Sequence, residues 1–206
     1  MTNDTLIAYL KDSGVIKSAA IDGAFRAIDR TRFVTKESKS IAYLDMALPI
    51  GASQTISQPT VVAYCLELLQ VRPGHRVLDV GSGSGWTTAL LAHLVGHTGS
   101  VIGIERIPAL VSFGSKNLGE YAFPQAHIEQ ATRELGKRTA APFDRILVSA
   151  AADEMPDALA KQLKNGGRMV IPIRNAVCAV DRADGNFKTV CHEGFVFVPL
   201  ITKDAP

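Results

Sequence analysis

Residues 77–86 read Val-Leu-Asp-Val-Gly-Ser-Gly-Ser-Gly-Trp, an apolar run ending in three glycines at alternate positions, with a helical pattern over 87–95 behind it. A buried strand that turns through glycines into a helix exposes backbone N–H groups and little side-chain bulk, so a nucleotide-like ligand can approach. A bound nucleoside cofactor is the expectation, and spacing narrows its kind. A dinucleotide fingerprint needs a third glycine where Trp86 stands, and a pyrophosphate would meet that indole. A P-loop needs Gly-Lys-Ser/Thr to hold phosphates and Mg²⁺, and no lysine lies near Gly85.

What remains is the G-x-G-x-G loop of S-adenosylmethionine (SAM) enzymes, formed by Gly81, Gly83 and Gly85. The strand 100–104 follows the helix and ends at Glu105, a carboxylate placed to accept both ribose hydroxyls. Taken alone, the glycines also read as an ordinary tight turn and Glu105 as a solvated strand end. Asp79 has apolar neighbours on both sides, which argues against plain solvent exposure.

These groups need a scaffold, and the rest of the chain supplies the pattern of one. Residues 6–10 and 21–28 carry apolar side chains at helical spacing, predicting two short amphipathic helices before Arg32-Phe33-Val34. Residues 41–56 are apolar but aperiodic, broken by Pro49, Gly51 and Ser53, and read as a loop held against the site. Pro59 suits the first turn of a helix with Gln58 or Ser57 as its cap and a buried stripe of Val61, Val62, Cys65, Leu66, Leu68 and Leu69. Strands at 76–80, 100–104, 127–130, 145–149 and 168–173 then alternate with helices after Gly85, Pro108 and Pro156. That alternation predicts an α/β fold with a doubly wound, mostly parallel sheet and helices on both faces. Asp184-Gly185-Asn186 predicts a hairpin joining 176–180 to 188–198, an antiparallel pair at the sheet's end.

Composition agrees with one enzyme-sized domain over residues 1–206, since 47% of 206 residues are apolar. Lys+Arg 22 against Asp+Glu 20 gives a net charge of +2 with no basic stripe, so nucleic acid is not an expected partner. No segment approaches the roughly 18 apolar residues of a membrane span. Cys65, Cys178 and Cys191 lack metal or redox spacing and read as small buried hydrophobes in a reducing cytosol, which makes the expected location cytoplasmic. His75, His93, His97, His127 and His192 show no zinc pattern, so no metal is expected.

Several segments together resemble the protein-L-isoaspartate (D-aspartate) O-methyltransferases. They are Ala-Leu-Pro-Ile-Gly at 47–51, Gln-Thr-Ile-Ser-Gln-Pro at 54–59, the strand and glycine loop at 77–85, Pro-Phe-Asp at 142–144 with Ser-Ala-Ala-Ala at 149–152, Gln-Leu-Lys-Asn-Gly-Gly-Arg at 162–168, and Phe-Val-Pro-Leu at 197–200. The glycine loop and the Gly-Gly-Arg stretch are common to many SAM enzymes. The Thr-Ile-Ser-Gln-Pro segment and the Val-Pro-Leu ending are far more particular.

The resemblance implies methyl transfer from SAM, with S-adenosylhomocysteine as product, to the misplaced carboxylate of isoaspartyl residues in damaged peptides and proteins, D-aspartyl sites being a second possible acceptor. The ester then closes to a succinimide, which begins repair. It implies Ser57 as the active-site serine, whereas its residue type and place alone favour a helix N-cap. It implies cofactor contacts from Thr55, Ile56, Asp79, Gly81, Gly83, Gly85, Glu105, Ala131 and Thr132, with Asp79 facing the methionine end. The single domain is expected to divide into N-terminal helices and substrate loop over 1–57, a cofactor-binding core over 58–173 and a C-terminal hairpin over 174–206. We expect a monomer.

Ala150 to Ala152 read equally as room for the substrate backbone and as tight packing. Tyr43 and Asp45 read as groove lining, with a buried tyrosine whose hydroxyl is satisfied as the simpler account of Tyr43. The chain departs from the family where Gly-Asp is usual and Ala131-Thr132 stands, which predicts weaker adenine recognition, with Glu129 or Glu134 as possible compensation. Thr60 also stands where an aromatic or histidine is common. These departures keep three alternatives open: methylation of one dedicated protein partner, methylation of a small carboxylic acid, and a non-catalytic SAM-binding module.

Overall fold

The structure, a computed structural model, describes residues 1–200; residues 201–206, the tail of the expected C-terminal part, lie outside the described residues. Two helices open the chain, α1 (Asn3–Asp12) and α2 (Ala19–Ala27). Thr2 and Thr5 cap α1 reciprocally, the Thr5 N–H donating to Thr2 Oγ1 (3.3 Å) and the Thr2 N–H to Thr5 Oγ1 (2.8 Å). Ser18 caps α2 by accepting from the Ile21 N–H at 3.3 Å. Glu67 Oε1 accepts from the N–H groups of Lys17 and Ser18, both at 2.8 Å, and ties this start to the third helix.

The stretch read as an aperiodic loop holds regular structure. A 3-10 turn over Lys36–Ile41 is followed by an antiparallel pair, β1 (Leu48–Gly51) and β2 (Gln54–Ile56), turned through Ala52 and Ser53 at positive φ. The pair is so short, and so interrupted by Pro49, that no period-2 signal could announce it.

The remaining elements are α3 (Pro59–Leu69), β3 (Arg76–Val80), α4 (Trp86–Val95), β4 (Ser100–Glu105), α5 (Pro108–Leu118), β5 (Ala126–Gln130), β6 (Phe143–Val148), α6 (Asp157–Ala160), β7 (Leu163–Ile173), β8 (Ala176–Ala183) and β9 (Asn186–Glu193). Strands β3 to β9 form one sheet in the order β5-β4-β3-β6-β7-β8-β9, parallel from β5 to β7 and antiparallel beyond. The chain runs outward from β3 through β4 to β5 and then returns to place β6 on the other side of β3. The gap between β3 and β6 is therefore the topological switch point, where open α/β sheets bind ligands.

Alternation along β3 divides the core. Val77 packs with the cluster that holds α1 to α5, while Leu78 and Val80 face the opposite side, covered by Leu159, Ala160, Leu135 and Met155. Asp79 shares the face of Val77, so a carboxylate points under α4 at the end of a buried strand.

The hairpin β8–β9 turns on Asp184-Gly185, both at positive φ, as the sequence implied. The cysteines depart from expectation. Cys178 and Cys191, partners in register on β8 and β9, form a disulfide across 13 positions of chain, and only Cys65 is a free buried thiol. Strand pairing brought together two residues that spacing alone did not connect. Burial pushes the Cys65 thiol up to about 12, which leaves it inert.

Candidate active site

The cleft at the switch point is lined by the residues that follow β3 and β6. It takes in Val80 to Ser84, Trp86 and Thr87 on one side, Ser149 and Ala150 on another, and Gln54 to Ser57 across the mouth. Glu105 to Ile107 and residues 131–136 complete it, and it encloses about 1240 Å³ including the open solvent at its entrance.

Gly81, Gly83 and Gly85 all have positive φ, at 80°, 52° and 87°. The loop they form packs backbone to backbone on α5: a Cβ on Gly85 would meet the Gly114 carbonyl oxygen at 2.8 Å. Glu105, 8% exposed, ties the loop down by accepting from the Gly83 N–H at 3.0 Å through Oε2 and from the Ile107 N–H at 2.9 Å through Oε1.

Asp79 is wholly buried beneath this loop. Its Oδ2 accepts from the hydroxyls of Thr87 and Thr88, both at 2.7 Å, while Oδ1 is buried without a partner among the described residues. Burial outweighs the two hydroxyls and raises its pKa from 3.8 to about 6, with nearby Glu105 adding to the rise. Asp79 is not itself part of the cleft lining; it lies under Val80 and Gly81, which are. Ser82 Oγ and Trp86 Nε1 are likewise buried and unpartnered.

Ser57 is half-buried and lines the cleft, and its hydroxyl makes no hydrogen bond to a described residue. It is not the cap of α3. Gln58 holds that position without a side-chain capping bond, and Asp45 caps the helix from the preceding loop. Asp45 Oδ1 accepts from the Thr60 N–H at 2.8 Å, and Oδ2 accepts from Thr60 Oγ1 at 2.7 Å and Gln58 Nε2 at 3.0 Å. Thr60 thus has a structural task that a larger ring could not perform in the same way. Tyr43 is the satisfied tyrosine of the simpler reading, donating its hydroxyl to Asp29 Oδ1 at 2.7 Å.

The alanine stretch resolves into two roles. Ala150 opens on the cleft, but Ala151 pairs with the C-terminal segment, its N–H donating to the Val198 carbonyl and its own carbonyl accepting from the Leu200 N–H, both at 2.7 Å. Ala152 pairs likewise with Pro172 and Arg174. Small side chains at Ala151 and Ala152 let the chain's own backbone cross there.

Ala131 and Thr132 do line the cleft, and the Thr132 hydroxyl is partly spent on the Glu134 N–H at 3.3 Å. Glu134 borders the cleft and pairs with Arg138 at 3.3 Å, whereas Glu129 pairs with Lys137 at 2.5 Å and is not part of the lining. Sequence reasoning missed Gln162, 3% exposed, which fixes this wall by accepting from the Lys137 N–H at 2.8 Å and donating to the Leu135 carbonyl at 2.9 Å. Its place in a Gln-Leu-Lys-Asn-Gly-Gly-Arg stretch was the available signal. Arg30 was missed as well.

Residues 1–205 match the sequence model of the family described as Protein-L-isoaspartate(D-aspartate) O-methyltransferase. The chain belongs to that family. Among the relatives of this methyltransferase family member, a protein-L-isoaspartate O-methyltransferase of Pyrococcus horikoshii is 41% identical over 201 residues, covering 95% of this chain and 90% of the relative. Protein-L-isoaspartate O-methyltransferase 1 of Arabidopsis thaliana is 39% identical over 216 residues, covering 98% and 93%. Among solved structures, a protein-L-isoaspartate O-methyltransferase of Plasmodium falciparum in complex with S-adenosyl-L-homocysteine superposes with a TM-score of 0.88 at 26% identity, covering 98% of this chain and 99% of the other. The SAM-methyltransferase sheet expected from the sequence is thus the observed one.

Proposed function

We propose that this chain methylates the free carboxylate of L-isoaspartyl residues, with D-aspartyl sites as a second acceptor, in damaged peptides and proteins. The observation that carries the reading is the unengaged Ser57 hydroxyl on the wall of the cleft that the glycine loop and Glu105 also line, with Asp79 buried beneath them. The cleft fits SAM. Three glycines at positive φ keep side-chain bulk out of the loop, Glu105 stands where ribose hydroxyls would bind, and Asp79, buried beneath the loop with one oxygen unpartnered, would supply negative charge under the cofactor's cationic end. Thr55 and Ile56 would cover the cofactor from the β2 side, and Ala131 and Thr132 would border the adenine. SAM, when bound, supplies an electrophilic methyl group.

The chain's own contribution is positioning. A substrate carboxylate with a reference pKa near 3.9 is already ionised at neutral pH, so no general base is needed. Ser57 donates a hydrogen bond to one carboxylate oxygen and leaves the other to face the donor. Holding the reactants in line supplies on the order of 7–11 kcal/mol of effective molarity, and the apolar walls from Ile50, Ile56, Val62 and Leu110 exclude water. A hydrogen bond to a charged group contributes about 1.5 kcal/mol or more, so Ser57→Ala is expected to lower kcat roughly tenfold with little change in SAM affinity. Methyl transfer from labelled SAM to an isoaspartyl peptide, beside the matched aspartyl peptide, tests both points. Absence of labelling in the isoaspartyl peptide while SAM still binds would sink the substrate assignment.

The Ala131-Thr132 departure gives a second test. Thr132→Asp replaces a neutral acceptor by a charged one, and charge-assisted bonds are about twice as strong, so S-adenosylhomocysteine should bind roughly five times more tightly by calorimetry. Unchanged or weaker binding would remove Thr132 from the adenine wall.

The proposal includes a monomer acting in the cytoplasm, with the three-part division of the chain at residues 57 and 173. No helix among the described residues is long and apolar enough to cross a membrane. Cysteine usage no longer supports the location, because the Cys178–Cys191 bond is unusual in a reducing compartment.

A further inference from the structure

Arg30 is the largest fully buried side chain, 1% exposed, and nothing in the methyl-transfer reading uses it. It begins the 3-10 turn Arg30–Phe33, and its guanidinium donates to four main-chain carbonyls. Nη1 donates to Ala42 and to Leu44 (3.4 Å); Nη2 donates to Met46 and to Ser57, both at 3.0 Å. The same group lies over the Trp86 ring, with Cζ 5.1 Å from the ring centroid. Trp86 is the first residue of α4, directly after Gly85 of the cofactor loop. Phe25 of α2 packs against the Trp86 ring in an edge-to-face arrangement, with centroids 5.5 Å apart, so the indole is held.

One buried side chain therefore touches both halves of the site. On one side it grips the loop 42–46 and the carbonyl of Ser57; on the other it rests on the helix that carries the glycine loop. Five N–H donors in a rigid plane can serve carbonyls from separate segments at once, and no other side chain has that geometry. The compensating charge is Asp45, the residue that caps α3 just after Ser57. Burial lowers the Arg30 pKa to about 10, so the group remains a cation at neutral pH.

We infer that Arg30 is the positioning residue of this site: its fork fixes the main chain at Ser57 against the Trp86 end of α4, and so aims the Ser57 hydroxyl at the carboxylate to be methylated. The inference rests on the role of Ser57 proposed above. Its consequence is specific. Arg30 acts through Ser57, so the two residues should not contribute independently.

Arg30→Lys keeps the charge and removes the fork. The test compares wild type, Ser57→Ala, Arg30→Lys and the double variant in kcat and KM for an isoaspartyl peptide, S-adenosylhomocysteine affinity by calorimetry, and thermal melting. Arg30→Lys is expected to melt cooperatively and to bind S-adenosylhomocysteine and peptide within threefold of wild type, while kcat falls about tenfold, the loss that Ser57→Ala itself gives, because small misplacements of an aligning group cost rate more than binding. In the Ser57→Ala background the same change should cost less than threefold. Full additivity, a kcat within threefold of wild type, or loss of S-adenosylhomocysteine binding in step with rate would each overturn the inference. If Arg30→Lys does not melt cooperatively, the comparison passes to Arg30→Ala with free guanidinium. Recovery of kcat by millimolar guanidinium and not by ammonium supports positioning, and no recovery overturns it. A wild-type chain that fails to methylate the peptide, or a Ser57→Ala change without effect, removes the underlying reading and the inference with it, and either is distinguishable from the outcomes above.

Discussion

Asp79→Asn is expected to weaken SAM binding roughly 100-fold and to make the empty protein more stable above pH 6. Both effects follow from one buried carboxylate with one unpaired oxygen. Its pKa is raised from 3.8 to about 6, so the folded chain holds a proton that the unfolded chain releases between those values. Stability is then full below about pH 4 and declines as pH rises through 6, by about 3 kcal/mol for a displacement of this size. Asparagine has no charge to desolvate and still accepts from Thr87 and Thr88. The variant should therefore melt several degrees above wild type at pH 8 and no higher at pH 4. A bound cation reverses the balance, since it favours ionised Asp79 and repays its burial. Below pH 6 the wild-type residue must lose its proton on binding, so affinity for SAM should fall about tenfold per pH unit, a slope the variant lacks. Calorimetry of SAM binding from pH 5 to 8, with melting curves for both proteins, checks each part. Equal pH slopes in the two proteins would show that Asp79 does not face the cofactor's charge.

Gly114→Ala is the second large expected effect, and its sign runs against helix propensity. Alanine for glycine inside a helix ordinarily stabilises by about 1 kcal/mol. At Gly114, in the middle of α5, a Cβ would stand 2.7 Å from the Gly83 carbonyl oxygen and 3.3 Å from the Gly85 nitrogen. These are backbone atoms of the cofactor loop and cannot rotate away. Overpacking of this kind destabilises by about 1–3 kcal/mol. Shifting the loop by a fraction of an ångström is expected to reduce S-adenosylhomocysteine affinity on the order of 100-fold, as misplacement does in preorganised sites. Gly23→Ala in α2 is the control, because nothing lies within 4 Å of the added atom there, and it should raise the melting temperature slightly. A Gly114→Ala protein that melts higher and binds normally would refute the backbone-to-backbone account of the loop.

These predictions mark where sequence and structure divide. Strands β3, β4, β5 and β6 were legible within a few residues, because each is an apolar run bounded by turn residues, and a helical period separates β3 from β4 and β4 from β5. The glycine loop, Glu105 and the Asp184-Gly185 hairpin were legible because positive φ and tight turns demand particular residues locally. Ser57, Thr55 and Ile56 were legible only as part of a family-like segment, since a serine before proline looks the same whether it caps a helix or faces a substrate.

The β1–β2 pair was hidden by its brevity, and the cap of α3 by its origin in Asp45, which acts from outside the helix it caps. Arg30, Gln162 and the Cys178–Cys191 bond left no local trace either, because each draws its meaning from partners brought near by folding. An arginine in a 3-10 turn reads as a surface charge until four carbonyls converge on it.

By itself, then, the sequence determined the alternating α/β fold, the glycine turn for a nucleoside cofactor and the family. The first two depend on local backbone preference and periodicity, which each segment carries alone, and the family on the resemblance carried by strings such as Thr-Ile-Ser-Gln-Pro at 55–59. Only the tertiary structure decided which alanines face the cleft and which carry the returning chain. It also decided that Asp79 is buried with one oxygen unspent, and that a buried guanidinium links Ser57 to the cofactor helix. Those are properties of desolvation and of hydrogen bonds between distant segments, and they exist only once the segments have packed.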